Sequence, residues 1–178
     1  MYKINFDRPQ NIHFIGIGGI SMSGLARLLA SRGFTISGSD WHESDLTKEL
    51  EALGIRVDIG QRSSNITKDI DLVVYTAAVH SDNEEFCAAQ AANIPLMPRS
   101  VLLGQIMKQY PHSVGIAGTH GKTTTSTILA HILHNAHIGA SAFLGGIANN
   151  YASNLIIDKQ SDWVVVEADE FDRSFHHL

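Results

Sequence analysis

Short apolar runs alternate with amphipathic stretches along the first hundred residues, and the two periodicities take turns. Residues 12–15, 34–37, 55–59, 72–75 and 94–97 read as strands, whereas 20–31, 45–53 and 83–92 repeat apolar positions at helical spacing. The second helix ends before Gly54, placed as a helix-terminating glycine. Strand and helix in regular succession predict βαβ units. Right-handed crossovers then give a parallel sheet with helices on both faces. A further helix is expected over residues 100–109, and Tyr110-Pro111-His112 interrupts it, which sets a domain boundary between residues 109 and 110. Beyond the break, residues 113–117 read as a short buried strand, 123–134 as a helix and 162–167 as a second buried strand. No internal repeat or low-complexity tract is present.

Composition narrows the class. In 178 residues, 44% are hydrophobic and 17% charged, ordinary values for a globular protein with a sizeable core. The net charge of −5 offers no broad basic field, so nucleic acid is not an expected partner, and any phosphate recognition should be local. The single cysteine, Cys87, cannot form an intrachain disulfide and is expected to be a packed or half-buried helix residue, and the cytosol is the natural compartment. No apolar run approaches the length of a membrane span, and the N-terminus lacks the apolar core of a signal peptide. No membrane partner is expected, and the sequence is silent on oligomeric state.

The chemistry is concentrated in two glycine turns. Gly118-Thr119-His120-Gly121-Lys122-Thr123-Thr124-Thr125 lies between a strand and a helix, the context in which a P-loop cradles nucleotide phosphates. Backbone N–H groups and the positive helix end would bind phosphate oxygens, Lys122 would reach the β and γ phosphates, and the Thr123 hydroxyl would ligate Mg²⁺. The match is imperfect, because the generic motif has glycine where this chain has Ile116. Read by itself, such a turn also serves simply to cap a helix. The acid that ends the last strand, Glu167, is placed as a second Mg²⁺ ligand, or as an acid leaving the core for solvent.

The first turn, Gly16-Ile17-Gly18-Gly19, follows the first strand, and Ser37-Gly38-Ser39-Asp40 ends the second. Gly16 and Gly18 satisfy part of the dinucleotide fingerprint while Ser21 breaks it, and Asp40 stands where an acid meets a ribose hydroxyl. The pair suggests a nucleotide. It does not separate a nicotinamide cofactor from a UDP group, nor either from a packing turn.

Taken in order, His13-Phe14-Ile15-Gly16-Ile17-Gly18-Gly19, the Ser-Gly-Ser-Asp40 strand end, the Gly118–Thr125 turn and the terminal Glu167-Ala168-Asp169-Glu170-Phe171-Asp172-Arg173-Ser174-Phe175 resemble the Mur ligases. The resemblance spans nearly the whole chain, and the family's loop likewise lacks glycine at the Ile116 position. It implies an α/β protein: a Rossmann-like parallel-sheet N-terminal domain (residues 1–109), followed by an incomplete P-loop α/β central domain (residues 110–178). It also implies an ATP- and Mg²⁺-dependent amide-bond ligase of peptidoglycan synthesis. A carboxylate of UDP-N-acetylmuramate takes the γ-phosphoryl group, and the amine of L-alanine attacks the acyl phosphate.

By the same resemblance, Lys122 and Glu167 would be catalytic, and Gly118, Thr119, His120, Gly121, Lys122, Thr123 and Thr124 would bind ATP. Gly16, Gly18, Gly19, Ser39, Asp40, Thr76, Ala77 and Arg99 would bind the UDP-substrate, with Thr123 and Glu167 on Mg²⁺. His120 and the Asp172-Arg173-Ser174 group are further candidates for holding the sugar. Mur ligases have three domains, so the chain is expected to bind substrate but not to complete ligation. Three rival readings stay open: a ligase that recycles a whole tripeptide onto the same UDP-sugar, a nicotinamide-dependent oxidoreductase domain, and a regulatory P-loop ATPase. A metal site built on His131 and His134, or on His176-His177, is not expected, because no further ligands accompany them at suitable spacing.

Overall fold

The computed structural model describes residues 2–148, 153–158 and 161–167. The chain divides into two compact units, residues 1–102 and 103–178, and the division falls inside a helix. The expected boundary lies a few residues further on, where that helix has ended.

In the first unit, β1 (Asn11–Ile15), β2 (Thr35–Asp40), β3 (Arg56–Ile59), β4 (Leu72–Tyr75) and β5 (Leu96–Pro98) form one sheet in the order β3-β2-β1-β4-β5. Every pairing is parallel. Helices α1 (Ile20–Ser31), α2 (Asp45–Ala52) and α3 (Glu84–Ala91) and a 3₁₀ turn at Ser63–Asn65 make the crossovers. Parallel strands need such connections, and burial on both faces explains why β4 is almost wholly apolar and β1 has Ile12, Phe14 and Ile15 buried. The order reverses between β1 and β4, and a sheet of this kind leaves a crevice at that point, outside the carboxyl ends of its strands.

Local chemistry sets the elements. The Ser44 hydroxyl accepts from the Thr47 amide (3.2 Å) and Thr47 Oγ1 accepts from the Ser44 amide (2.8 Å), a capping box that fixes the start of α2. Asn83 caps α3 by accepting from the amides of Glu85 and Phe86. Ile15, Ile70, Val73 and Ala89 form a buried cluster between the sheet and α3, extended by the edge-to-face pair of Tyr75 and Phe86 with ring centroids 5.1 Å apart. Cys87, expected to be packed or half-buried, is exposed on α3; the buried positions of that helix are Glu85 and Ala89, and Cys87 lies on the other side.

Helix α4 (Arg99–Met107) crosses the division between the units. In the second unit, β6 (His112–Ile116), β7 (Ser141–Ala148), β8 (Ser153–Ile156) and β9 (Trp163–Glu167) form a sheet in the order β6-β9-β7-β8, and α5 (Lys122–Asn135) follows β6. The β6-β9 and β9-β7 pairs are parallel, whereas β7-β8 is an antiparallel pair with a register shift. Ala130, Leu133, Ala140, Ala142, Leu144 and Val165 make this unit's core. Two expectations are corrected. β6 was expected to be buried, yet its residues are exposed or intermediate, because it is an edge strand among the described residues. β7 and β8 were not anticipated at all.

Gly38, in the middle of β2, is the tightest backbone approach in the first sheet. A Cβ there would lie 2.7 Å from the Phe14 carbonyl oxygen and 2.6 Å from Ile17 Cδ1. The first contact is to sheet backbone and cannot relax by rotation. Gly38→Ala is therefore expected to destabilise the fold by about 1–3 kcal/mol, read as a lower urea midpoint with an unchanged denaturant slope.

Candidate functional sites

At the carboxyl ends of β1, β2 and β4 lies a cleft of about 430 Å³, lined among others by Gly16, Asp40, Trp41, Gln61, Thr76 and Asn83. Gly16 adopts φ +83°, a left-handed conformation that lets the chain turn sharply out of β1. Its amide and that of Ile17 both donate to the Ser39 carbonyl at 2.9 Å, and the Gly19 amide donates to the Gly16 carbonyl at 3.2 Å. The Asp40 carboxylate accepts from the Gly18 amide through one oxygen and from the Trp41 amide through the other, both at 2.8 Å. A Cβ on Gly18 would stand 2.8 Å from that same carboxylate oxygen, so the acid closes on the turn only because glycine is there.

The turn's glycine amides are thus bonded internally, and Gly16, Gly18 and Gly19 shape the site more than they offer donors. Arg99 is not among the residues lining the cleft; its Nη1 donates to the hydroxyl of Ser21, in the first turn of α1, at 2.5 Å. Thr76 lines the cleft, while Ala77 is exposed on the same turn and is not part of the lining. Ser39 is a correction. Its side chain is fully buried and donates to Glu85 Oε2, so it faces the inside of the unit and not the cleft. Sequence reasoning missed Trp41, Gln61 and Asn83. Trp41 and Gln61 each follow the end of a strand, and Asn83 caps α3; those positions beyond strand ends are the available signal.

The second site surrounds the loop between β6 and α5. Gly121 is the N-cap of α5 and has φ +78°, where a side chain would be strained. Lys122 curls back so that its Nζ donates to the Gly118 carbonyl at 2.6 Å. Register pairs Ile116 with Glu167, which brings the acid at the end of β9 beside the loop. Thr123 Oγ1 donates to Glu167 Oε2 at 3.1 Å, and Ser126 Oγ and the Gly145 amide donate to Oε1 at 3.1 and 2.6 Å. Thr123 and Glu167 are therefore brought together, and Ser126 and Gly145 join them, while the Lys122 ammonium stays on its own loop. Thr119, His120 and Thr124 lie on the same loop and first helical turn, all three exposed. The Asp172-Arg173-Ser174 group and His176-His177 lie outside the described residues. His131 accompanies Asn135 on α5 at 2.8 Å, and no cluster of three metal-ligating side chains occurs among the described residues. Nor, among those residues, is any helix long and apolar enough to cross a membrane.

A parallel sheet with a glycine turn at its switch point, followed by a phosphate-type loop facing a strand-end acid, places the chain in the α/β class whose architecture commonly houses nucleotide sites. The model of the Mur ligase family, catalytic domain, matches residues 11–111, and the chain belongs to that family. Among curated relatives, UDP-N-acetylmuramate--L-alanine ligase of Agathobacter rectalis is 55% identical over 98% of this chain, and that of Lachnospira eligens 53% over the same share. The chain spans 38% of the length of each. Among solved structures, UDP-N-acetylmuramate-alanine ligase of Thermotoga maritima is 35% identical with a TM-score of 0.83, covering 90% of this chain and 37% of its own. The UDP-N-acetylmuramate:L-alanyl-gamma-D-glutamyl-meso-diaminopimelate ligase from Neisseria meningitides gives 0.86 at 30% identity, covering 96% of this chain and 58% of its own.

Because the two oxygens of Asp40 each hold one amide, asparagine can keep only one of the two bonds. Asp40→Asn is expected to speed amide exchange at Gly18 or Trp41 by about tenfold or more, the loss of a hydrogen bond to a charged acceptor, while amides within β1 keep their rates. Exchange followed by NMR at these two amides checks it.

Proposed function

We propose that this chain supplies the UDP-sugar cleft and the phosphate loop of an ATP-dependent ligase that joins L-alanine to UDP-N-acetylmuramate, in the cytosol. The observation that carries the reading is the convergence of Thr123, Ser126 and Gly145 on Glu167 beside the Lys122 loop. The donor set also bears on the metal. A threonine hydroxyl and a carboxylate 3.1 Å apart are hard oxygen ligands of the kind Mg²⁺ takes, with phosphate and water oxygens completing its shell. Thr123 and Glu167 would hold it, and when bound it would offset the charge of the phosphate oxygens.

The chain's own residues account for the rest of the loop's work. Phosphoryl transfer needs positioning and charge stabilisation more than covalent help from the protein. The opening of α5 would present backbone donors and a positive helix end to the phosphates. The Lys122 ammonium would exchange its neutral partner, the Gly118 carbonyl, for anionic oxygen, the stronger type of bond. In the first unit, Arg99 and the start of α1 would hold the diphosphate, and Asp40, Gln61 and Asn83 at the cleft would meet the ribose and base. Trp41 is 60% exposed at the rim and gives the base an aromatic surface. The substrate carboxylate would then take the γ-phosphoryl group as an acyl phosphate, and the L-alanine amine would displace phosphate to form the amide.

The strong match to the Neisseria structure favours a second reading, in which the amine is the whole tripeptide. Identities of 53–55% to alanine ligases against 30% to that structure favour alanine. The deciding assay gives the whole protein that carries this chain ATP, Mg²⁺, UDP-N-acetylmuramate and either amine. Phosphate release that depends on L-alanine is expected. Release only with the tripeptide supports the second reading, and tight binding of NADH without UDP-sugar binding overturns both.

Two substitutions probe the loop. Lys122→Ala is expected to lower kcat/KM by about 100-fold or more, with binding of UDP-N-acetylmuramate unchanged in a calorimetric titration. A Cβ on Gly145 would lie 2.5 Å from Glu167 Oε2, whereas one on Gly146 would meet only the Thr123 methyl at 3.5 Å. Gly145→Ala is expected to weaken magnesium-nucleotide binding by about tenfold or more, and Gly146→Ala by less than about threefold, in the same titration with ATP.

A further inference from the structure

Under the cleft of the first unit lies a buried polar cluster that none of the binding roles above uses. His13 pairs with Ser37 and Ile15 with Ser39 across β1 and β2, so these side chains share the face of the sheet that α3 covers. From the first turn of α3, Glu85 reaches this face. His13, Ser39 and Glu85 are each 0% exposed, and Asn65 is 9% exposed. A carboxylate so buried needs donors, and it has them. Ser39 Oγ donates to Oε2 at 2.5 Å and Asn65 Nδ2 to Oε1 at 2.6 Å. His13 Nε2 has no hydrogen-bond partner and stands 3.7 Å from Oε2, while its Nδ1 meets Ser37 Oγ at 2.9 Å.

Each donor leads on to a wall of the cleft. The Ser39 carbonyl holds the Gly16 and Ile17 amides. Asn65 Nδ2 also donates to the Gly60 carbonyl at 2.9 Å, and the Gly60 amide donates to the Asp40 carbonyl at 2.8 Å. Gln61 follows Gly60 into the cleft, where its Oε1 accepts from Asn83 Nδ2 at 2.6 Å. One carboxylate therefore fixes both the turn that leaves β1 and the segment that leaves β3, from beneath, without touching the cavity.

We propose that Glu85 is a positioning residue: its carboxylate sets the spacing between the Gly16 turn and the Gly60-Gln61 segment, and so the fit of the cleft for its ligand. The identity of that ligand rests on the function proposed above; the positioning itself does not. Alanine at Glu85 leaves Ser39 and Asn65 donors unmatched. Glutamine can accept from Asn65 and donate to Ser39, whose hydroxyl turns to accept, so the amide preserves the geometry.

The test is titration of the chain with UDP and UDP-N-acetylmuramate, alongside amide exchange at Gly16, Ile17 and Gly60. In Glu85→Ala, affinity for both ligands is expected to fall by about tenfold or more and exchange at the three amides to quicken by a similar factor, while amides within β4 hold. Glu85→Gln is expected to stay within about threefold of the unsubstituted chain in both measurements. Unchanged exchange in Glu85→Ala, or a Gln variant as impaired as the Ala variant, overturns the role. Should Glu85→Ala not fold, Ser39→Ala removes one bond of the network and carries the same test at Gly16 and Ile17; no movement there overturns the role. If the unsubstituted chain binds neither UDP compound, the proposed function falls, and the exchange rates decide the positioning role alone.

Discussion

In both units, an acid at the carboxyl end of one parallel strand bonds the segment that follows or flanks its neighbour, and the rest of each site is arranged around that contact. Asp40 closes on Gly18, and Glu167 gathers Thr123, Ser126 and Gly145. Where a parallel strand ends, the ladder stops supplying acceptors, and an amide of the turn such as that of Gly18 must find another, whereas Glu167 takes two hydroxyls and the Gly145 amide. A carboxylate supplies two oxygens and a charge in one group. It also requires a glycine opposite, because a Cβ on Gly18 or Gly145 would lie 2.8 or 2.5 Å from the acid. Glycine and acid are therefore coupled choices, far apart in sequence and adjacent in space.

That coupling explains what the sequence reveals and what it hides. Strands β1 and β4 and helix α1 were legible because apolar periodicity is a local property, and α1 and β4 coincide with the expected spans. The phosphate-type loop was legible because its Gly-Lys-Thr run is contiguous. β7 was not: in Ser141–Ala148 the adjacent pairs Phe143-Leu144 and Gly145-Gly146 erase alternation, and its glycines stand against Glu167 and Thr123. The orientation of Ser39 was hidden for a similar reason. Polar residues on a strand normally face out, but Ser37 and Ser39 face in because His13 on β1 and Glu85, 46 residues beyond Ser39, meet them. A partner so distant leaves no local trace.

The two turns also differ in how they can meet a phosphate. The first is already complete. Its glycine amides are bonded to Ser39, Asp40 and Gly16, so opening them to a ligand would give up three protein bonds. In the function proposed above, recognition there falls to Arg99, the start of α1 and the side chains at the cleft, whose use breaks none of those three bonds. The second turn is held by an exchangeable bond. The Lys122 ammonium rests on a neutral carbonyl of its own loop, and Thr123 rests on Glu167. Replacing a neutral acceptor by an anionic one would strengthen the bond Lys122 makes, so in the proposed function phosphate would displace the Gly118 carbonyl. In the function proposed above, a cleft whose turn is bonded internally suits selection of one substrate by shape, and a loop that can trade partners suits a phosphoryl group that would arrive, transfer and leave.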